Sequence, residues 1–164
     1  MFHFSGDNLV VIAGWTGSNR LSDIEVVPIE TNNDLCNPLD LEYTVHRHSS
    51  VGTPAGALTC GGWTGSVTTS KCALTTKEGQ TTTFPSMKGG RYRFGLGIVN
   101  DIIYTVGGLG GETTMERINF KTDSEWTLIS LPFSVRYHCL ATATNSLVIT
   151  GGKDNGVSKI ILHL

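Results

Sequence analysis

Histidine and cysteine are the residue types in this sequence with the chemistry for a metal site or a nucleophile. His46 and His48 are two residues apart, so they share one face if they lie on a strand, and metal ligands use that spacing. No third ligand follows at a zinc-like interval, so we interpret one ring as packed and the other as solvated. Cys139 follows His138, but neighbouring residues of a strand point to opposite faces, which separates a nucleophile from its base.

A glycine-rich phosphate site is the next possibility. The stretch from Gly107 to Gly111 is rich in glycine, but it leads into a predicted strand, whereas a phosphate site needs a helix N-terminus. No Gly-x-Ser-x-Gly motif and no dinucleotide fingerprint is present. The sequence therefore predicts no catalytic residue, no metal and no cofactor, and we expect a protein that is not an enzyme.

Composition and charge narrow the class further. Lys and Arg number 12 against 14 Asp and Glu, a formal charge of −2, so no global positive field draws the chain to nucleic acid or to an anionic membrane. The sequence as given starts without a signal peptide, and its apolar runs are far shorter than the roughly 20 residues of a membrane helix. Twenty glycines and 16% charged residues favour short strands and tight turns. We expect a single all-β domain over residues 1–164.

Short β-branched runs that end in a glycine pair recur along the chain at a nearly constant interval. The pairs are Gly61-Gly62, Gly107-Gly108 and Gly151-Gly152, with a diverged copy that ends at Gly14. The intervals between the last glycines are 48, 46 and 44 residues, close to the periods of repeat proteins built from four-stranded units. Glycine pairs that were only turn punctuation would not keep this phase.

Other landmarks keep step with these glycines. The tetrapeptide Trp-Thr-Gly-Ser follows the first two runs, at Trp15–Ser18 and Trp63–Ser66. His48, Phe94 and His138 each lie 13 residues before the first glycine of a pair. Each unit therefore carries a bulky ring in register with a hairpin whose first strand ends at the glycines.

Between the hairpins lies a further pattern, which is clearest from Trp126 to Pro132 and continues to Arg136. Weaker counterparts lead to Arg91 and to Arg47. This series resembles the kelch repeat, in which a strand ending in Gly-Gly is followed by a second strand, an aromatic strand and a turn with Pro and Arg. The resemblance implies a β-propeller, in which neighbouring four-stranded blades bury each other's faces.

The strand count implies an incomplete propeller. With strands labelled a to d outward in each unit, we expect a kelch-type β-propeller of about four blades in an open or incomplete ring. The blades cover about residues 2–38, 47–84, 93–129 and 137–164, and the last lacks its outer strand. An open arc leaves inter-blade faces uncovered at both ends, with Ile160, Ile161 and Leu162 partly unprotected. We therefore expect self-association, or blades that are missing from this sequence.

Cys60 and Cys72 are the most informative cysteine pair. They lie on the two strands of one predicted hairpin, symmetric about Ser66, so they can face each other and form a disulfide worth roughly 2 to 3 kcal/mol. Free thiols in a cytosolic domain are the alternative, and Cys36 and Cys139 have no obvious partner. The pair resembles that of secreted invertebrate kelch-like proteins, which slightly favours an extracellular over a cytoplasmic location.

Strand order predicts which loops share a surface. Since strands alternate in direction, the loops between strands b and c emerge on the same side as the connections from d to the next a. This side, the loop face, gathers Trp and Arg, which are preferred anchors at protein interfaces, and Arg also binds carboxylates. The candidate partner-binding residues are Trp15, Arg20, Arg47, Trp63, Arg91 and Arg136. The alternative is that the arginines brace neighbouring loops and the tryptophans cover blade edges.

These patterns favour a non-enzymatic protein–protein interaction or scaffolding module, which binds an acidic or polar peptide segment on the loop face. The alternative is a fragment of a secreted kelch-fold carbohydrate-binding protein or metal-dependent enzyme. Such an enzyme needs several titratable residues that converge near the propeller axis, and this sequence supplies few.

Overall fold

The structure, a computed structural model, describes residues 2–5, 8–28, 39–41, 43–153 and 159–164. Within these ranges the chain is all-β: its strands form four antiparallel sheets, and no helix is present. The predicted all-β class is confirmed. No helix in the described part of the chain is long and apolar enough to cross a membrane.

Each sheet is a meander whose strands pair in chain order. Sheet 1 comprises β1 (Phe2–Ser5), β2 (Asn8–Trp15), β3 (Arg20–Pro28) and β4 (Leu39–Asp40). Sheet 2 comprises β5 (Ser49–Thr53), β6 (Gly56–Cys60), β7 (Cys72–Thr75) and β8 (Thr81–Phe84). Sheet 3 comprises β9 (Gly95–Val99), β10 (Ile102–Val106), β11 (Thr114–Asn119) and β12 (Thr127–Ser130). Sheet 4 has three strands among the described residues: β13 (Cys139–Ala143), β14 (Ser146–Thr150) and β15 (Lys159–His163).

The sheets pack on one another in the order of the chain. The first strands β1, β5, β9 and β13 are neighbours in that order, and each pair of consecutive sheets encloses an apolar core. Strand β6 is buried along its whole length because it serves two cores at once. Its alternation sends Ala57 toward sheet 1 and Leu58 toward sheet 3, as the period of two of a strand requires.

The connections between sheets repeat the same backbone hydrogen bonds. The amides of Leu41, Met87 and Leu131 donate to the carbonyl oxygens of Ser22, Ser70 and Thr113, at 2.8, 2.9 and 2.8 Å respectively. All three donors carry buried apolar side chains. The chain that leaves each of the first three sheets is therefore tied to that sheet's own third strand, or to the loop just before it, before it enters the next.

The glycine pairs lie where one sheet meets the chain that enters the next. Gly61 and Gly107 have φ angles of +64° and +57°, in the left-handed region. A methyl group on Gly61 would lie 2.5 Å from the carbonyl oxygen of Arg91, and one on Gly107 would lie 2.3 Å from that of Val135. Gly151 has the same backbone conformation at φ +67° but has open space where its methyl group would be, since no described sheet follows it. At Gly61 and Gly107, only glycine fits both the left-handed conformation and the close contact with the carbonyl oxygen.

Two details of the strands differ from the sequence-based expectation. The predicted first strands begin at Arg47 and Tyr137, but β5 and β13 start two residues later. Arg47 and Tyr137 have positive φ angles of 59° and 58°, which a strand does not allow. The outer strand of sheet 1 is β4 at Leu39–Asp40, just beyond the expected end of the first blade at about residue 38.

Gly61 and Gly151 have nearly the same backbone conformation, so they provide a matched test of inter-sheet packing. We expect Gly151→Ala to lower the free energy of unfolding by about 1–2 kcal/mol, the cost of a left-handed non-glycine residue. Gly61→Ala adds the overlap with Arg91, roughly 1–3 kcal/mol more. Urea denaturation of both variants measures the difference, and equal losses would show that sheets 2 and 3 do not approach at this point.

Candidate functional site

An open cleft lies between sheets 1 and 2 at the end where β2 and β6 finish. It has a volume of about 610 Å³. Trp15 ends β2 and Arg20 begins β3, so the loop of sheet 1 supplies one wall, and the connection into sheet 2 and the loop after β6 supply the other. The lining residues are Gly14, Trp15, Arg20, His46, Arg47, His48 and Trp63. The structure thus brings together four of the six predicted partner-binding residues.

A row of rings crosses the cleft from one sheet to the next. The ring centroids of Trp15 and His46 are 5.2 Å apart, and those of Trp63 and Tyr92 are 5.5 Å apart. His46 and Trp63 are joined through their backbones, since each amide donates to the other's carbonyl oxygen at 3.3 and 2.9 Å. We call Trp15, His46, Trp63 and Tyr92 the aromatic row; its first three members line the cleft, and Trp15, which is 49% exposed, provides apolar surface there.

Arg20 joins the two loops that border the cleft. Its guanidinium carbon lies 5.8 Å from the centroid of the Trp15 ring, within the range of a cation–π contact. The same carbon would be 2.2 Å from a methyl group on Gly65, so the guanidinium rests against the loop of sheet 2. Arg20 therefore holds Trp15 and the neighbouring loop in a fixed relation.

Three equivalent residues line the entry to the first strands, and sequence reasoning found only one of them as a site residue. Arg47, Arg93 and Tyr137 each lie 14 residues before the first glycine of a pair, and all three are left-handed, with φ between 55° and 59°. The amide of Arg93 donates to the carbonyl oxygen of Arg47 at 3.0 Å, and that of Tyr137 donates to Arg93 at 3.1 Å. The guanidinium of Arg93 also stacks 4.3 Å from the Tyr137 ring centroid. The constant spacing from the glycine pair was the signal that would have found Arg93 and Tyr137.

The cleft carries positive charge that is not neutralised locally. Among the described residues, no Asp or Glu lines it, and Arg20, Arg47 and Arg93 form no ion pair there. Burial, followed by the charges of Arg47 and Arg20, lowers the pKa of His46. The arrangement suits a ligand that brings its own carboxylates.

His48 and His138 are packing rings in the structure. They occupy the positions equivalent to Phe94, and burial lowers the pKa of His48 to about 4 and also lowers that of His138. Both rings are therefore neutral near pH 7. Among the described residues no group of three or more His, Cys, Asp or Glu side chains stands close enough to hold a metal ion.

Arg91 does not join the other arginines, because its side chain is 1% exposed and points into the chain. Its Nη2 donates to Oε1 of Glu116 at 2.7 Å, and its Nη1 donates to the carbonyl oxygens of Gly107 and Thr114 at 3.0 and 3.2 Å. Burial lowers the pKa of Arg91, and the ion pair with Glu116 opposes that effect. Arg91 therefore braces the chain around it, and its side chain is not part of the surface.

Arg136 lies apart from the cleft, at the entry to sheet 4. It is partly buried, its guanidinium is 5.9 Å from the centroid of the Tyr137 ring, and its backbone bridges to Lys153. The arginines at positions 47, 91 and 136 are 14, 16 and 15 residues before their glycine pairs. Because this offset differs, the three side chains take three different directions.

Cys60 and Cys72 form the predicted disulfide, which is confirmed. The two residues are direct partners on β6 and β7, and they belong to the core between sheets 2 and 3. The bond closes the loop that carries Trp63, so it stabilises one wall of the cleft. Cys139 is a free, exposed thiol, and Cys36 lies outside the described residues.

No model of a known protein family matches the sequence, and no functionally characterised protein matches it. The cleft and the repeated packing of the sheets are therefore the features that bear on function.

Protonation of His48 makes stability depend on pH. Its pKa is about 4 in the folded chain and about 6.5 when unfolded, so between these values the unfolded chain binds more protons. We expect the free energy of unfolding to fall by on the order of 3 kcal/mol from about pH 6.5 to about pH 4 through this group alone. His48→Phe, which introduces the residue found at position 94, is expected to reduce that fall in urea denaturation. The control His163→Phe, at an exposed ring, leaves it in place, and an unchanged pH profile for His48→Phe would contradict the assignment.

The buried ion pair gives a second prediction. Glu116→Gln leaves the Arg91 charge buried beside a neutral group, so we expect a loss of about 3–5 kcal/mol in the free energy of unfolding. The double variant Arg91→Met with Glu116→Gln removes the unpaired charge and keeps a side-chain oxygen that can accept from the amides of Lys88 and Gly89, so we expect it to cost less than Glu116→Gln alone. Lys121→Met, which breaks an exposed ion pair with Asp101, is the control and costs at most about 1 kcal/mol. A double variant that is less stable than Glu116→Gln in urea denaturation contradicts this account.

Proposed function

We propose that the four sheets are blades of a kelch-type β-propeller arranged in an open arc, and that the chain is a non-enzymatic module for protein interaction. Four features support the arrangement. Each sheet is a meander in chain order, the first strands are neighbours, and each sheet packs face to face on the next. The same connecting hydrogen bonds recur in three successive units. Propellers bury their blades in this way.

The cleft between sheets 1 and 2 is where we propose that the partner binds. The observation that carries this proposal is the coincidence of accessible rings with arginines that have no acidic neighbour in the part of the chain that the structure describes. Trp15 and Trp63 provide apolar area, while Arg20 and Arg47 provide hydrogen-bond donors in the geometry that carboxylates accept. Residues whose truncation costs the most binding energy at protein interfaces are enriched in Trp and Arg.

The partner is an acidic segment of a protein or peptide. The chain as a whole carries a formal charge of −2, so attraction to an acidic ligand comes from the local field of the cleft and not from net charge. An extended segment with a carboxylate next to an apolar or proline residue meets both features of the cleft, since the carboxylate reaches Arg47 while the neighbouring side chain covers the aromatic row.

An oxidising compartment fits this module. A cross-strand disulfide beside the cleft persists in extracellular space and is reduced in the cytosol. We propose an extracellular location on this ground, together with the resemblance of the cysteine pair to that of secreted kelch-like proteins.

Tryptophan fluorescence can test the ligand directly, because two of the three tryptophans line the cleft and Trp126 is buried elsewhere. We expect a pool of peptides rich in Glu, Asp and Pro to quench the emission, and a basic pool of equal length not to. Arg47→Glu is expected to weaken binding at least about tenfold, which corresponds to about 1.4 kcal/mol. The matched control is Arg117→Glu, an exposed arginine on β11 of sheet 3, which is expected to bind as the unmodified chain does.

Two outcomes decide against an acidic ligand. Equal quenching by acidic and basic pools would remove the role of the arginines. Quenching by neutral oligosaccharides that persists in Arg47→Glu would favour the carbohydrate-binding alternative, in which the rings of Trp15 and Trp63 stack on sugars.

A further inference from the structure

Sheet 4 presents a face of small and apolar residues that no other described part of the chain covers. On β13, Cys139, Ala141 and Ala143 are exposed, and their neighbours Leu140 and Thr142 point to the other face, toward sheet 3. The strand register places Ala141 beside Val148 on β14, and Val148 beside Ile161 on β15. Ile161 is 45% exposed, which is unusual for an isoleucine in the middle of a strand. The face is as wide as the sheet.

The equivalent face of sheet 3 is covered, and it shows what fits such a surface. Gly95, at the position equivalent to Cys139, would place a methyl group 2.5 Å from Cβ of Leu140. Tyr104, at the position equivalent to Val148, lies in the core that Leu147 and Ile149 complete from sheet 4. A face with small residues on its first strand and larger apolar residues on its second is therefore packed against the apolar face of the following sheet.

Sheet 1 presents the other half of this interface. Val10 and Ile12 are buried against sheet 2, so Val11 points to the opposite side of β2. Val27 on β3 lies on that same side, because it is two residues from Glu25, the cross-strand partner of Val11, and Glu25 therefore shares this face. Val11 and Val27 are both half-buried, and no described sheet packs over them. The face occupies the place that Leu96 and Ile103 fill on sheet 3.

We propose that two copies of this chain associate head to tail, with sheet 4 of each copy packed on sheet 1 of the other, to close a ring of eight sheets. The packing between consecutive sheets occurs three times within one chain, and the two uncovered faces are its two complementary halves. An interface between unlike faces leads to a closed ring when its rotation closes, and β-propellers reach eight blades. This inference rests on the propeller arrangement and does not depend on the acidic ligand of the cleft.

The mass of the chain in solution tests the ring. By light scattering during gel filtration at about 1 to 100 µM, we expect a species of twice 17.6 kDa, and its mass should not grow at the highest concentration. Ile161→Glu on sheet 4 and Val11→Lys on sheet 1 are each expected to give monomers. Lysine at position 11 faces Glu25 on the neighbouring strand, so the variant keeps a favourable pair within its own sheet. The control Leu128→Glu changes a 54% exposed leucine on β12, and this variant should stay dimeric.

Mixing the two disruptive variants provides a signature that only the head-to-tail ring has. In a mixed pair one interface combines both altered faces, and the other combines two unaltered faces. We therefore expect an equimolar mixture to regain dimers that neither variant forms alone.

Several results would overturn the proposal. They are a monomer of the unmodified chain at about 100 µM, a mass that rises steadily with concentration, and a Val11→Lys variant that remains dimeric. The last result would mean that sheet 4 pairs with another sheet 4, or that the edge of β15 pairs with its copy. Far-ultraviolet circular dichroism identifies a variant that fails to fold, and Ala141→Arg then replaces Ile161→Glu. If the unmodified chain is a dimer that does not bind acidic peptides, only the acidic ligand is refuted. If it is a monomer that binds them, only the ring is refuted.

Discussion

The fold depends on the close approach between the glycine pairs that follow β6 and β10 and the chain that enters the next sheet. The amide of Gly62 donates to the carbonyl oxygen of Arg91 at 2.8 Å, and that of Gly108 donates to Val135 at 2.9 Å. Because both partners are backbone groups, the spacing of the sheets does not depend on which side chains fill the cores. This explains why the two cores on either side of sheet 2 differ so much, with alanines on one face and a disulfide and leucines on the other.

The connection that enters sheet 2 forms one wall of the cleft. It turns sharply before β5 starts, as the next connection does before β9, and Arg47 and Arg93 make these turns in a left-handed conformation that costs about 1–2 kcal/mol per residue. The hydrogen bond from the amide of Arg93 to the carbonyl oxygen of Arg47 offsets part of that cost. Strained residues held by neighbouring structure are typical of binding surfaces, and here the strain leaves the Arg47 side chain exposed beside two tryptophans.

The sequence predicts the parts of this molecule that depend on local pattern. The phase of the glycine pairs locates the hairpins, and the symmetry of Cys60 and Cys72 about their loop locates the disulfide, because cross-strand partners follow from register alone. The direction of each arginine side chain cannot be predicted from this local pattern. Where the chain turns, a shift of one or two residues decides whether a side chain is buried or lies at the surface. The partnership of Arg91 with Glu116, which is 25 residues away, depends on how a connection packs over the next sheet, and no spacing rule predicts it.

At Arg91 the chain buries and neutralises one positive charge. The positions equivalent to Arg91 are Val45 and Val135, and both are buried apolar side chains that need no partner. An arginine at this position needs its charge balanced, and Glu116 together with the carbonyl oxygens of Gly107 and Thr114 supplies that balance inside the protein. Such a pair adds little stability over two valine-like residues, since desolvation of both charges opposes their attraction. Its consequence is geometric: the guanidinium ties the connection before sheet 3 to β10 and β11, and its charge is absent from the surface. The local field of the cleft then comes from Arg20 and Arg47, which line it, with Arg93 on the adjoining connection, and the buried charge of Arg91 does not compete for a ligand that recognises charge.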